Sequence, residues 1–248
     1  MNMIEDKREL VNKKKLCILI SSHYSHTMGG AEYRCKILMD YLLQYDNFNI
    51  SYVCNNVDSN YVPYKYSIHQ INSRLSKYSR LFDFFYLQKV LSNIKPDIIY
   101  QNGGTAHTGI AAIYAKKNNV KLVHQICNDS NLKNFSNFNF KSRIKKTADN
   151  VLYRYGLKYA NTIICQSNNQ SKLLLNYFGR KCDIVVPLGH PIPKERNIKS
   201  KEIRVLWISN LKYHQKQPYL FLKLARHFQS YKNVNFIMIG GPIGSSSE

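Results

Sequence analysis

Residues 16–32 read LCILISSHYSHTMGGAE, which is an apolar run, a loop containing two glycines and the beginning of a helix. The five apolar residues 16–20 are typical of a buried parallel strand. After the loop, Ile37, Leu38, Tyr41 and Leu42 recur at helical spacing. A strand, a loop and a helix in this order predict the first part of a strand–helix–strand unit.

The same alternation continues along the next 150 residues or so, at the usual spacing of such units. It predicts an α/β fold of Rossmann-like type, with a parallel sheet covered by helices on both faces. The expected strands are residues 49–54, 97–100, 120–126, 162–166 and 183–186. The expected helices are residues 31–45, 73–93 (one helix or a pair of helices), 105–117, 140–159 and 167–178, and we interpret residues 128–139 as a loop.

The length of 248 residues corresponds to between one and two domains. We expect a first domain over residues 1–190 and a linker over residues 191–202, because a proline-rich, charged stretch interrupts the rhythm there. Residues 203–248 then supply a strand at 203–208, a helix at 217–228 and a strand at 234–239. We therefore expect the beginning of a second Rossmann-like domain that is incomplete.

The chain carries 36 Lys and Arg against 15 Asp and Glu, which gives a net charge of +21. A hydrophobic fraction of 44% excludes a disordered basic tail, so the partners of this folded protein are expected to be anionic. Most of the charge precedes residue 203, and basic amphipathic helices are expected around residues 74–95 and 133–158. They suit an anionic membrane surface, although solvated basic faces over ordinary core residues explain them equally well. Because no nucleic-acid-binding signature occurs, we expect no nucleic acid partner.

Three features suggest a ligand site, and each also has a purely structural explanation. Gly29 and Gly30 precede a helix and could bring backbone N–H groups close to a phosphate, or could form a plain turn. Lys216 could neutralise a diphosphate, or could be a solvated surface lysine. His124 lies toward the end of an apolar strand, where open α/β sheets bind ligands. A buried histidine there is more often structural, but this position favours a role in the site. No metal site is expected, because neither the cysteines nor the histidines show ligand spacing.

Taken together, these segments resemble family 4 of the retaining glycosyltransferases, which have the GT-B fold. The matching pieces occur in the family's order along nearly the whole chain. They are Gly29-Gly30-Ala31-Glu32, residues 95–100 (KPDIIY), Val123-His124, residues 160–167 (ANTIICQS), residues 186–189 (VPLG), residues 205–211 (VLWISNL) with Lys216, and residues 236–241 (FIMIGG).

The resemblance implies roles for individual residues. It implies phosphate-binding positions on both sides of the cleft, a catalytic position beside the reacting sugar, and acceptor-side positions. The phosphate-binding positions are Gly29, Gly30, Asn210 and Lys216. The catalytic position is His124, and the acceptor-side positions are Glu32, Asn102 and Thr105. Two positions depart from the family pattern. Asn210 replaces a diphosphate-binding arginine, and Gln217 replaces a glycine that usually follows the lysine.

The resemblance implies a metal-independent, retaining transfer of sugar from a nucleotide-sugar to a lipid-linked or polysaccharide acceptor, in cell-surface glycan biosynthesis. No cofactor is expected beyond the nucleotide-sugar substrate. With a charged amino terminus and no apolar run of about 20 residues, we expect a cytoplasmic protein, peripheral at the inner face of the cell membrane. The alternative is a truncated, inactive relative that acts only as a binding domain. The family's paired-glutamate motif would follow Gly241, so we expect these residues alone to be inactive.

Overall fold

The computed structural model describes residues 13–45, 47–71, 80–132, 140–192, 202–209, 211 and 216–241, and the side chains of the helix beginning at Phe140 from residue 148 onward. The chain divides into two compact units, Met1–Gly189 and His190–Glu248. Asn210 and most of the expected linker lie outside the described residues.

The first unit contains a sheet of seven parallel strands, in the order β3-β2-β1-β4-β5-β6-β7. This confirms the predicted α/β class. The strands are β1 Lys14–Leu19, β2 Phe48–Cys54, β3 Ser67–Gln70, β4 Ile98–Asn102, β5 Lys121–Gln125, β6 Thr162–Cys165 and β7 Ile184–Val185.

Helices cover both faces of this sheet, and apolar residues of each strand alternate between the two faces. In β1, Cys17 and Leu19 belong to one buried cluster, and Leu16 and Ile18 belong to the other. The helix α1 packs in the second cluster, and the other four helices pack in the first. The helices are α1 Gly30–Leu42, α2 Phe84–Ile94, α3 Ala106–Asn118, α4 Phe140–Tyr159 and α5 Asn168–Phe178.

Helices α3 and α4 approach each other closely because glycines lie at their contact. A Cβ atom added to Gly109 would lie 2.1 Å from the backbone oxygen of Leu152. A Cβ atom added to Gly156 would lie 2.7 Å from the backbone carbon of Thr108. The two backbones are therefore in contact, and this contact fixes the position of α4 over the sheet.

The structure differs from the sequence prediction at one edge of the sheet. Strand β3 was not predicted, because its four residues SIHQ alternate only weakly and three residues separate it from Pro63. Of the helix or helix pair predicted over 73–93, residues 73–79 lie outside the described part, and the rest is a 3-10 turn, Arg80–Asp83, followed by α2. A second 3-10 turn, Asp129–Leu132, lies in the predicted loop.

The described residues of the second unit include two parallel strands, β8 Ile203–Ile208 and β9 Val234–Ile239, and the helix α6 Pro218–His227. Trp207, Phe221, Phe228 and Phe236 form a cluster of ring contacts between them, with centroid distances of 5.6–6.3 Å. Within the described part of the whole chain, no helix is long and apolar enough to cross a membrane.

Candidate functional site

The strand order places a crevice at the carboxyl ends of β1 and β4. These two strands are neighbours, and the helices that follow them, α1 and α3, pack in clusters on opposite faces of the sheet. Their loops therefore diverge, and open α/β sheets bind ligands at such a switch point. We define the switch-point crevice by the loops 21–29 and 103–105. It brings together the loops that carry Gly29 and Thr105.

The first of these loops is fixed by His23, whose ring is buried. The backbone N–H of Ser25 donates to His23 Nδ1 at 3.1 Å, so the proton of the neutral ring is on Nε2. This Nε2–H donates to the hydroxyl of Tyr66 at 3.1 Å. The hydroxyls of Tyr24, Tyr61 and Tyr66 bond to one another at 2.7–2.9 Å. The loop that leads to α1 is thus held in place by a polar network before any ligand arrives.

The loop ends at Gly29, which is the N-cap residue of α1, and Gly30 is the first residue of the helix. The carboxylate of Glu32 folds back over this end, because a Cβ atom on Gly29 would lie 2.6 Å from Glu32 Oε2. Helix N-termini attract anions, and here a carboxylate of the chain itself lies close to the position that a phosphate would take. A phosphate bound at Gly29 and Gly30 would therefore require Glu32 to turn away.

Arg34 in α1 is a candidate that the sequence analysis missed. Its Nε and Nη1 atoms are buried, and no group among the described residues accepts a hydrogen bond from them. Burial raises the pKa of the Cys127 thiol to about 12, and the positive charge of Arg34 opposes this shift. The guanidinium therefore lies near Cys127, two residues after the end of β5. A buried guanidinium nitrogen without an acceptor is unfavourable. Only the fold could reveal this, because one arginine in an amphipathic helix is typical of solvent-exposed positions.

Asn102 ends β4 and is buried between two cysteines. Its Nδ2 donates to Cys35 Sγ at 3.3 Å, and the thiol of Cys127 donates to its Oδ1. The side chain therefore ties α1 to the ends of β4 and β5. Next to it, Gly103 has a φ of +97°, a conformation that side-chain-bearing residues rarely adopt. Thr105 is the N-cap of α3, and its hydroxyl accepts from the backbone N–H of His107 at 3.3 Å.

His124 lies in β5 with none of its surface exposed. The amide of Gln101 is oriented by its own Nε2, which donates to the carbonyl of Gly103 at 2.5 Å, so its Oε1 faces the histidine. His124 Nδ1–H donates to this Oε1 at 2.5 Å, and Thr108 donates to it at 2.9 Å. The unprotonated Nε2 is 3.4 Å from the hydroxyl of Tyr153. Tyr153 thus covers the histidine.

These buried histidines predict a pH-dependent stability. Burial lowers the pKa of both His23 and His124 from 6.5 to about 4. Between these values the unfolded chain binds protons that the folded chain does not, so stability is lost as the pH falls from 6.5 towards 4. For the fully buried His124 the loss should reach about 2 kcal/mol at pH 5. Urea unfolding at pH 7, 6 and 5 measures this loss. In His124→Gln the free energy of unfolding should depend less steeply on pH. An equally steep dependence in this variant would show that His124 is not the group responsible.

Lys216 belongs to the second unit, where its side chain is exposed and its carbonyl accepts from the indole N–H of Trp207 at 3.3 Å. The next residue, Gln217, has a φ of +50° and precedes α6. This conformation favours glycine, which gives a physical reason for the glycine usual at that position in the resembled family. Within the described ranges, no group of three or more metal-ligating side chains occurs.

Comparison with solved structures identifies the fold. WaaG, a glycosyltransferase involved in lipopolysaccharide biosynthesis, is 11% identical over 90% of this chain and 70% of its own, with a TM-score of 0.57. A putative UDP-N-acetylglucosamine 2-epimerase from Listeria monocytogenes is 12% identical, with a TM-score of 0.55. The match covers 91% of this chain and 62% of the epimerase. The UDP-GlcNAc 2-epimerase from Neisseria meningitidis, bound to UDP-GlcNAc, is 12% identical, with a TM-score of 0.53. The match covers 91% of this chain and 64% of that epimerase. The chain thus spans less than two thirds of either epimerase.

These neighbours define the class as an α/β protein of the GT-B fold. The family described as glycosyl transferase 4-like matches residues 15–167, which is more than half of the chain. The chain therefore belongs to the glycosyl transferase 4-like family, as the sequence motifs indicated. No curated protein sequence matches it.

Proposed function

We propose that this protein transfers a sugar from a nucleotide-sugar donor to a lipid-linked or polysaccharide acceptor, with retention of configuration and without a metal. The observation that carries the proposal is that two buried guanidinium nitrogens of the half-buried Arg34, Nε and Nη1, have no acceptor among the described residues, in the helix that begins at the switch-point crevice of a family 4-like fold. Nucleotide-sugars supply the missing acceptor, because their diphosphate oxygens bind guanidinium groups well. A UDP-sugar is bound in one structural neighbour, which supports the same choice of donor.

The chemistry needs fixed positive groups. As the glycosidic bond of the donor breaks, negative charge grows on the departing diphosphate, and preorganised donors stabilise it. In this proposal Arg34 and the N-terminus of α1 supply them from the first unit, once Glu32 has turned away from Gly29. The family resemblance implies a diphosphate-binding role for Lys216 as well.

His124 has a positioning role in this proposal. It has no exposed surface, and burial lowers its pKa to about 4, so a substrate cannot reach it directly and it is neutral at pH 7. Its Nδ1–H instead bonds to Gln101, and its Nε2 faces Tyr153, which is itself buried and lines a pocket next to Thr105. Asn102, bonded between Cys35 and Cys127, holds the crevice in shape in the same way.

The acceptor is proposed to be presented at an anionic membrane surface, with the protein in the cytoplasm. The net charge of +21 suits such a surface. Helix α2 turns Leu87 and Leu91 into the core and leaves Phe85 81% and Tyr86 51% exposed. Exposed aromatic side chains on a basic protein are typical of peripheral attachment.

A transfer assay tests the donor part of the proposal. Labelled UDP-, GDP- and ADP-sugars are offered with a glycolipid extract, and label in the lipid or polysaccharide fraction is counted. Transfer by these residues would overturn the expectation that they alone are inactive. Where transfer from one donor is found, it should fall at least tenfold in Arg34→Gln, because the developing diphosphate charge loses a positive partner. Lys36→Gln is the matched control, since Lys36 is exposed on the same helix and should leave transfer unchanged. Transfer that is indifferent to Arg34→Gln would contradict the proposal, and no transfer from any donor would favour a non-catalytic binding domain.

A further inference from the structure

A pocket of about 410 Å³ lies at the amino ends of β1, β2 and β3, next to the last turn of α2. The switch-point crevice lies at the carboxyl ends of the strands, so the two are at opposite edges of the sheet. Pockets for small molecules have volumes of about 300–1,000 Å³, and this one is within that range. The polar residues that line it from the strands and from the loop before β3 are Lys15, Asn49, Ser51, Lys65, Ser67 and His69. We call it the amino-edge pocket.

The sheet changes from apolar to polar along one row of residues that face the same side. In this row Cys17 of β1 pairs in register with Ile99 of β4, and both are buried in the core. In the other direction Cys17 pairs with Ser51, and Ser51 pairs with Ser67. The two hydroxyl oxygens are 3.0 Å apart, and Ser67 Oγ lies 3.1 Å from His69 Nε2. Hydroxyl groups on β2 and β3 thus take the place of core side chains and line the pocket.

The amino-edge pocket carries two positive charges without a counter-charge. Within the described ranges, neither Lys15 nor Lys65 forms an ion pair, and none of the lining residues found there is acidic. The carboxylate of Asp97 accepts from the backbone N–H of Lys15 at 2.7 Å, but Asp97 does not line the pocket. Burial lowers the pKa of His69, so its ring is neutral at pH 7. Like charges on one concave surface repel each other, and a bound anion removes this repulsion.

The groups around the lysines favour phosphate among the anions. Lysine binds phosphate as a point charge, and hydroxyl and amide groups add hydrogen bonds. The serine hydroxyls and the amides of Asn49 and Asn93 offer these donors from β2, β3 and α2. A phosphate has more oxygens than a carboxylate, so it can accept from more of them at once.

We propose that the amino-edge pocket binds the phosphate group of a phosphate ester, at a site separate from the switch-point crevice. The volume leaves room for the group that carries the phosphate. A soluble ester and a lipid headgroup share this chemistry, and the experiment below separates the two sources. The proposal does not depend on sugar transfer, because it rests on residues at the other edge of the sheet.

Isothermal titration calorimetry of the whole chain with glycerol 3-phosphate at pH 7.5 tests the soluble source. We expect binding that weakens at least tenfold in the double variant Lys15→Gln, Lys65→Gln, because both charges of the pocket are lost. Ser67→Ala should weaken it about threefold, through the loss of one hydrogen bond. The matched control is the double variant Lys14→Gln, Lys172→Gln. It removes the same net charge from exposed lysines that do not line the pocket, and it should bind like the unchanged chain.

Co-sedimentation with vesicles tests the lipid source, comparing phosphatidylcholine alone with a mixture of phosphatidylcholine and phosphatidylglycerol. If the pocket takes a headgroup, sedimentation with the mixture should fall in the Lys15, Lys65 variant and persist in the control variant. Binding of glycerol 3-phosphate without this pattern would assign the pocket to soluble esters. Absence of binding to both probes would overturn the proposal. Equal binding by the two double variants would also overturn it, because general attraction to a basic protein has that result.

Neither measurement involves turnover, so the outcome is independent of the transfer assay. Loss of binding in the Lys15, Lys65 variant of a chain that transfers no sugar would retain the amino-edge pocket and reject the transferase function. Sugar transfer by a chain that binds neither probe would have the opposite meaning.

Discussion

Gly109→Ala is expected to lower the free energy of unfolding of the first unit by about 3 kcal/mol. The added methyl group would lie 2.1 Å from the backbone oxygen of Leu152 and 2.6 Å from its carbonyl carbon. A backbone group cannot rotate away as a side chain can, so α3 and α4 must separate. Their separation would loosen the packing of Ile110 and Leu157, which are both buried. It would also move Tyr153 away from His124.

Urea unfolding followed by far-UV circular dichroism measures this effect. Tryptophan fluorescence is unsuitable, since Trp207 is the only tryptophan and belongs to the second unit. Gly30→Ala is the control, because a Cβ atom there meets nothing within 4 Å and alanine forms helices better than glycine. It should cause no loss of stability. A loss below about 1 kcal/mol for Gly109→Ala would show that the helices adjust at little cost.

Asp83→Ala is expected to cost about 3 kcal/mol as well, through a buried hydrogen bond. The carboxylate of Asp83 and the ring of His107 are 0% and 1% exposed, and Nε2 of the histidine lies 2.6 Å from Oδ2. The amide of Asn55 lies 3.4 Å from the same oxygen. Without the carboxylate, the buried imidazole N–H loses its acceptor and cannot reach water.

Lys36→Ala is a matched control for this prediction, because the Lys36–Asp40 pair has the same 2.6 Å separation but side chains that are 40% and 53% exposed. Its loss should cost no more than about 0.5 kcal/mol. The double variant Asp83→Ala, His107→Ala should lose less than the sum of the two single variants, since the pair acts together. Equal losses for the buried and the exposed pair would mean that burial does not govern the energy of this contact.

The candidate site was only partly predictable from the sequence. Gly29 and Thr105 could be placed because turn and cap residues act through their neighbours in the chain. The environment of His124 could not be predicted, since Gln101 and Tyr153 lie 23 and 29 residues away from it in sequence. The role of Arg34 could not be predicted for the same reason. Whether its guanidinium nitrogens find an acceptor depends on which residues the fold brings around them.

The sequence by itself determined the α/β class and the family, because strand and helix periodicities and loop motifs are local patterns that the chain carries in its order. It also determined the basic charge. The tertiary structure alone decided which strands are neighbours, and so placed the crevice between β1 and β4. It alone left two guanidinium nitrogens of Arg34 buried without an acceptor among the residues that the structure describes. Burial and hydrogen-bond pairing are properties of the packed chain, since they depend on contacts between distant segments, and the functional proposals rest on them.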